Sequence, residues 1–169
     1  MQKRFKTVLT GIGLALTNIL FITGCNEVAC PLNNTIYATY AFYATDENNE
    51  LQTVQVLDTL TITAAGTDSI LINRETGASQ LHLPLSHKGE TDTLIFTFSN
   101  AAGSINRDTV WISKNSSEYF ESPDCPTVMF HQITGVRSAH KIIDSIYTDN
   151  PNIDYNATEN FKIVLYTDL

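Results

Sequence analysis

After residue 35 the chain is a succession of short stretches that alternate in polarity, and no stretch keeps a helical pattern beyond two turns. The stretches are Ile36–Tyr43, Leu51–Leu57, Thr59–Thr63, Ser69–Asn73, Gln80–Leu85, Thr93–Phe98, Asp108–Ser113, Val128–Ile133, Lys141–Tyr147 and Phe161–Thr167. Each is rich in β-branched and aromatic residues and is bounded by Gly, Asn, Asp or Ser clusters, the pattern of strands joined by tight turns. The period within them is two: Leu94, Phe96 and Phe98 face one way and Thr93, Ile95 and Thr97 the other, as do Phe161, Ile163 and Leu165 against their neighbours. Regular short strands with turn signals predict an all-β fold, an antiparallel β-sandwich of immunoglobulin-like type, with a β-barrel as the alternative. Pro84, late in its stretch, is expected at a strand end or sheet edge, because it cannot donate to a ladder.

The first 24 residues have a different character. Lys3, Arg4 and Lys6 precede an apolar run from Val8 to Ile22, and Ile22-Thr23-Gly24-Cys25 closes it. The run is interrupted by Gly11, Gly13, Thr17 and Asn18, and is too short and polar for a permanent membrane span. A charged start, an apolar core and small residues at the end make a secretory signal. Ending directly on cysteine, it resembles the signal of bacterial lipoproteins. The resemblance implies cleavage before Cys25 and a diacylglyceryl thioether on its sulfur, often with an amide-linked acyl chain. Two or three acyl chains anchor stably where one holds reversibly. Asn26 rather than Asp follows the cysteine, which by resemblance to enterobacterial sorting implies the outer membrane, with the periplasmic or surface face open. The expected organisation is residues 1–24 as signal, 25–35 as lipidated tether and 36–169 as one β-sandwich domain, a mature chain of 145 residues being long enough for a sizeable core.

Of three cysteines, lipidation of one leaves Cys30 and Cys125, a disulfide candidate in an oxidising compartment, or else two buried thiols. Three of the 10 basic residues and none of the 18 acids lie in the leader, so the mature chain carries 7 Lys and Arg against 18 Asp and Glu, a net charge of −11. Nucleic acid and anionic lipid surfaces both reward clustered cations and are excluded as partners.

A five-fold recurrence of Asp, then Ser or Thr, then an aliphatic residue runs through the domain: Asp58-Thr59-Leu60, Asp68-Ser69-Ile70, Asp92-Thr93-Leu94, Asp108-Thr109-Val110 and Asp144-Ser145-Ile146. It resembles the acceptor sequence of general protein O-glycosylation in Bacteroidota, which makes Thr59, Ser69, Thr93, Thr109 and Ser145 candidate sites. The same triplet also suits a strand start, where Asp closes a turn and the aliphatic side chain points inward. Both readings stand, and both can hold at once.

Leu83-Pro84-Leu85 with Asp92-Thr93-Leu94-Ile95-Phe96, Ser122-Pro123-Asp124-Cys125, Ile142-Ile143-Asp144-Ser145-Ile146 and Glu159-Asn160-Phe161-Lys162-Ile163 are together similar to a family of short uncharacterised Bacteroidota outer-membrane lipoproteins. Members share the lipidated cysteine, a second cysteine soon after it, and an acidic residue before a later cysteine that is often followed by Gly. Pro126 stands at that Gly position here. The resemblance implies the export route and a place beside an outer-membrane β-barrel, and carries no established chemistry.

No catalytic pattern emerges. His82, His87, His131 and His140 do not fall at metal-ligand spacings on one element, and Ser104 in Ala102-Gly103-Ser104 reads as a turn with no nucleophile elbow around it. Asp149-Asn150-Pro151-Asn152-Ile153-Asp154 is dense in oxygen but lacks the sixth-position Gly and terminal Glu of a calcium loop. Neither metal nor cofactor is implied, and a non-enzymatic role is expected. Aromatic residues offer a binding surface: Tyr37, Tyr40 and Tyr43 on the first strand and Trp111 on a later one are candidates for an exposed strip, or else are core. Two roles follow. The preferred one is a non-catalytic accessory subunit docked on an outer-membrane β-barrel or envelope assembly or transport complex; the alternative is a surface glycan-binding lipoprotein.

Overall fold

The computed structural model describes Cys30, residues 35–156 and residues 158–166; the expected leader and Cys25 lie outside them. The described chain is all-β and contains β1 (Tyr37–Thr45), β2 (Leu51–Thr53), β3 (Thr59–Ala64), β4 (Ile70–Glu75), β5 (Gln80–Pro84) and β6 (Thr91–Ser99). There follow β7 (Ile105–Tyr119), β8 (Val128–Ser138), β9 (Ile143–Thr148), β10 (Asn152–Ile153) and β11 (Phe161–Leu165). They form two sheets. The six-stranded sheet runs β10-β8-β7-β6-β3-β4, all antiparallel. The five-stranded sheet runs β2-β1-β11-β9, with β5 also pairing β1, and one of the two sheets is curled like half a barrel. The sandwich and barrel-like expectations therefore meet in one molecule.

The alternation in the sequence becomes the core. Leu94, Phe96 and Phe98 of β6, Val110 and Ile112 of β7, and Leu60 and Ile62 of β3 are all buried. Across from them lie Tyr40 and Phe42 of β1, Leu81 and Leu83 of β5, and Phe161 and Ile163 of β11, in one continuous cluster. Pro84 ends β5, which among the described residues pairs with β1 alone, so its missing N–H interrupts no inner ladder. β1 and β11 pair in parallel, Tyr40 opposite Phe161 and Tyr43 opposite Val164, and the Tyr40 and Phe161 rings stack at 4.7 Å.

Turn chemistry is local. Gly103, at φ 86°, completes the β6–β7 turn, and the Asn100 side-chain oxygen accepts from the Ser104 N–H at 2.9 Å. Asp46 caps the β1–β2 turn by accepting from Asn48 and Glu50. Two outcomes depart from expectation. β7 and β8 continue as a long ribbon to Tyr119 and from Val128, and the Asp149–Asp154 stretch contains the short β10 paired to β8. Asn160, buried, holds that stretch: its amide donates to Asn150 O and Asn152 O, while its side-chain oxygen accepts from Thr39 N.

Candidate functional site

Two charged residues point from β7 into the core. Asp108, buried, accepts from the N–H groups of Thr109 at 2.7 Å, Ala139 at 3.0 Å, Lys141 at 2.8 Å, Ile142 at 2.9 Å and Ile143 at 2.9 Å. Three of these donors belong to the β8–β9 connection, where His140 takes the left-handed φ of 55°, and the fourth, Ile143, opens β9. Consecutive N–H groups around such a residue converge on an anion. Burial acts to raise the Asp108 pKa, the N–H donors led by Ile142 act to lower it, and the donors prevail. The carboxylate is thereby a staple between the two sheets.

Lys114 is further along β7, its side chain wholly buried. Its Nζ donates to Gly89 O at 3.0 Å, Ser86 Oγ at 3.3 Å and Asp92 Oδ1 at 3.4 Å. Ser86 in turn donates to Asp92 through its backbone N–H, at 3.0 Å, and through its hydroxyl. Near them His131 pairs through Nδ1 with Ser116 Oγ at 2.8 Å, and burial together with the Lys114 charge pushes its pKa down to about 4. Burial, helped by Asp92, pushes the Tyr40 phenol far above its ordinary range, and its hydroxyl has no hydrogen-bond partner among the described residues. Of these groups it is Lys114 that ties the β5–β6 loop to the core. No group of three or more His, Cys, Asp or Glu able to hold a metal occurs among the described residues.

The residues singled out from sequence scatter. Tyr40 is core and cannot join an exposed strip; Tyr37 is exposed and Tyr43 half-buried, its hydroxyl donating to Glu159 at 3.0 Å. Trp111 is half-buried on the outer face of the six-stranded sheet, where the Arg137 guanidinium covers its ring at 3.7 Å. Thr59, Thr93, Thr109 and Ser145 are half-buried and Ser69 is exposed. In four of the five triplets the aliphatic residue is buried, and Ile70 is the exposed exception. Cys30 and Cys125 are disulfide-bonded.

Two other features were not anticipated. The first is an aromatic cluster at the end of the β7–β8 ribbon. Tyr119 and Phe130 stack at 4.5 Å, and Tyr155 stands edge-on to Phe130 at 5.2 Å and to Tyr119 at 6.0 Å. Tyr119 and Tyr155 are exposed, as is the adjacent Phe120 at 59%. Burial, then the Glu121 carboxylate, raise the Tyr155 pKa, so an acid borders the cluster. No periodic signal marks it, because its members come from three elements.

The second is a cleft of about 600 Å³ at the opposite end of the sandwich, where β1 and β11 finish and β6 turns into β7. Its floor is apolar: Ala44, Val54, Val56, Phe98, Ile142 and Leu165. Its mouth is polar: Gln55, Asp58, Asn100, Asn106 and Tyr166, beside Leu57, which is 87% exposed. Hydrogen bonds from Val54 N to Phe42 O and from Val56 N to Ala78 O, both 2.9 Å, pin the wall formed by the β2–β3 loop.

Residues 59–165 match the model of a family of unknown function (DUF6452). No curated protein and no solved structure matches the chain.

Proposed function

Since the chain belongs to this family of unknown function (DUF6452), we propose that it is a non-catalytic lipoprotein of the Bacteroidota outer membrane, acting as an accessory subunit of a β-barrel or envelope assembly or transport complex. The observation that carries this reading is the exposed Tyr119 and Tyr155 packed on the half-buried Phe130, with the exposed Phe120 beside them. Tyrosine and its aromatic neighbours dominate protein contact sites because they bring large area at low entropic cost. The cluster stands on a paired ribbon, a preformed surface. The disulfide state of Cys30 and Cys125 supports an oxidising compartment, in keeping with the Cys25 signal. Asp108 and Lys114 are engaged in holding connections and His131 in bonding Ser116 across the β7–β8 ladder, which supports a scaffold over an enzyme.

The test is a mild-detergent purification from native membranes through a C-terminal tag. An outer-membrane barrel or envelope subunit should co-purify in stoichiometric amount, be lost with Cys25→Ala, and be depleted by Tyr119→Ala or Tyr155→Ala. Recovery of the lipoprotein alone from wild-type membranes would remove the reading.

A further inference from the structure

We propose that the cleft at the end of the sandwich, between the β2–β3 loop, the β6–β7 turn and the end of β11, is a binding site for a neutral mono- or disaccharide. Its volume of about 600 Å³ falls within the range of about 300–1,000 Å³ typical of small-ligand sites. The chemistry of the mouth selects the class. Gln55, Asn100 and Asn106 are carboxamides, each both donor and acceptor, as are the hydroxyls of a sugar. Among the described residues Gln55 and Asp58 make no side-chain hydrogen bond, nor does Asn106; Asn100 uses only its oxygen, on Ser104. Four polar side chains with open bonding capacity thus face one apolar floor.

Tyr166, half-exposed at the rim, supplies a ring on which the C–H face of a pyranose can stack. Among the described residues no Lys or Arg lines the cleft, and Asp58 does. An anionic ligand, whether a fatty acid or an acidic sugar, would have to bring its charge against a carboxylate with no compensating cation. The pinned β2–β3 loop makes the site preformed, so little ordering opposes binding. Leu57, held almost fully in solvent on that loop, adds an apolar contact just outside the mouth. The inference does not depend on the protein partner proposed above, because the cleft and the aromatic ribbon lie at opposite ends of the domain.

The experiment uses the full chain in a sugar-free detergent, titrated by saturation-transfer NMR with maltose, cellobiose and N,N′-diacetylchitobiose, and with decanoate and glucuronate as comparators. At least one neutral disaccharide should bind saturably. Tyr166→Ala and Asp58→Ala should each weaken it by about tenfold or more, while Trp111→Ala and Tyr119→Ala leave it unchanged. Both weakening variants alter rim side chains, and a melting transition equal to wild type confirms that each is folded. Absence of saturable binding by all three disaccharides would overturn the proposal. So would preference for decanoate or glucuronate, or binding that survives Tyr166→Ala and Asp58→Ala or is lost with Tyr119→Ala.

Discussion

Asp108 and Lys114 share one strand and one face, yet the fold accommodates their charges in opposite ways. The anion is surrounded by backbone: five N–H groups, four of them from the β8–β9 connection and the first residue of β9, converge on it. The cation meets a loop carbonyl, a hydroxyl and one carboxylate, at longer distances. Backbone donors cannot rotate away and have no alternative when their acceptor is removed, whereas Ser86 and the partly exposed Asp92 can turn to water. These two places along β7 therefore depend to different degrees on their buried charges.

The sharpest way to break that contrast is Asp108→Ala. It leaves several N–H groups buried without an acceptor, and the expected loss is about 4 kcal/mol in chemical denaturation; a loss below about 1 kcal/mol would show that the connection relaxes freely. The second test is pH. The His131 imidazole has its pKa held at about 4 in the folded chain, below the ordinary value of about 6.5. The unfolded chain therefore binds a proton first as pH falls, and stability should decline between about pH 6.5 and 4 by up to roughly 3 kcal/mol. A denaturation series on His131→Gln should be flatter over that window. Asp108, whose pKa is lowered, acts in the same direction further down: its stabilisation is present above the ordinary carboxylate range and is lost as pH falls through its depressed value.

Lys114→Met comes third. It keeps most of the buried volume and frees a carboxylate that can reach solvent, so about 1 kcal/mol is expected. Equal losses for Lys114→Met and Asp108→Ala would erase the distinction drawn here. The smallest effect belongs to Tyr40→Phe. The phenol oxygen is buried without a partner among the described residues, so its removal should change stability by less than about 1 kcal/mol, with a gain more consistent than a loss. A thermal melt suffices to read it.

Much of the architecture was legible in the sequence because burial and period coincide. Leu94, Phe96 and Phe98 alternate visibly and are core, and the odd cysteine count pointed to Cys30 and Cys125, both disulfide-bonded. What escaped has physical reasons. Lys114-Asn115-Ser116-Ser117-Glu118 reads as a loop by composition, yet continues β7 because its backbone pairs with β8 as far as Val128. A two-residue strand such as Asn152–Ile153 has no period to detect. Tyr40 resembled its exposed neighbour Tyr37, but β11 and the facing sheet cover it. The cleft is gathered from segments spread between Ala44 and Tyr166, and no local pattern announces such a place.

The parallel pairing of β1 with β11 has a kinetic consequence. The first strand needs the last one beside it, and the Tyr40 ring needs Phe161 beneath it, so a chain interrupted before residue 161 cannot complete its five-stranded sheet. Contacts this distant in sequence form slowly, since a large loop must close before they reward it. Closure of the five-stranded sheet therefore waits until the segment around Phe161 is available to β1.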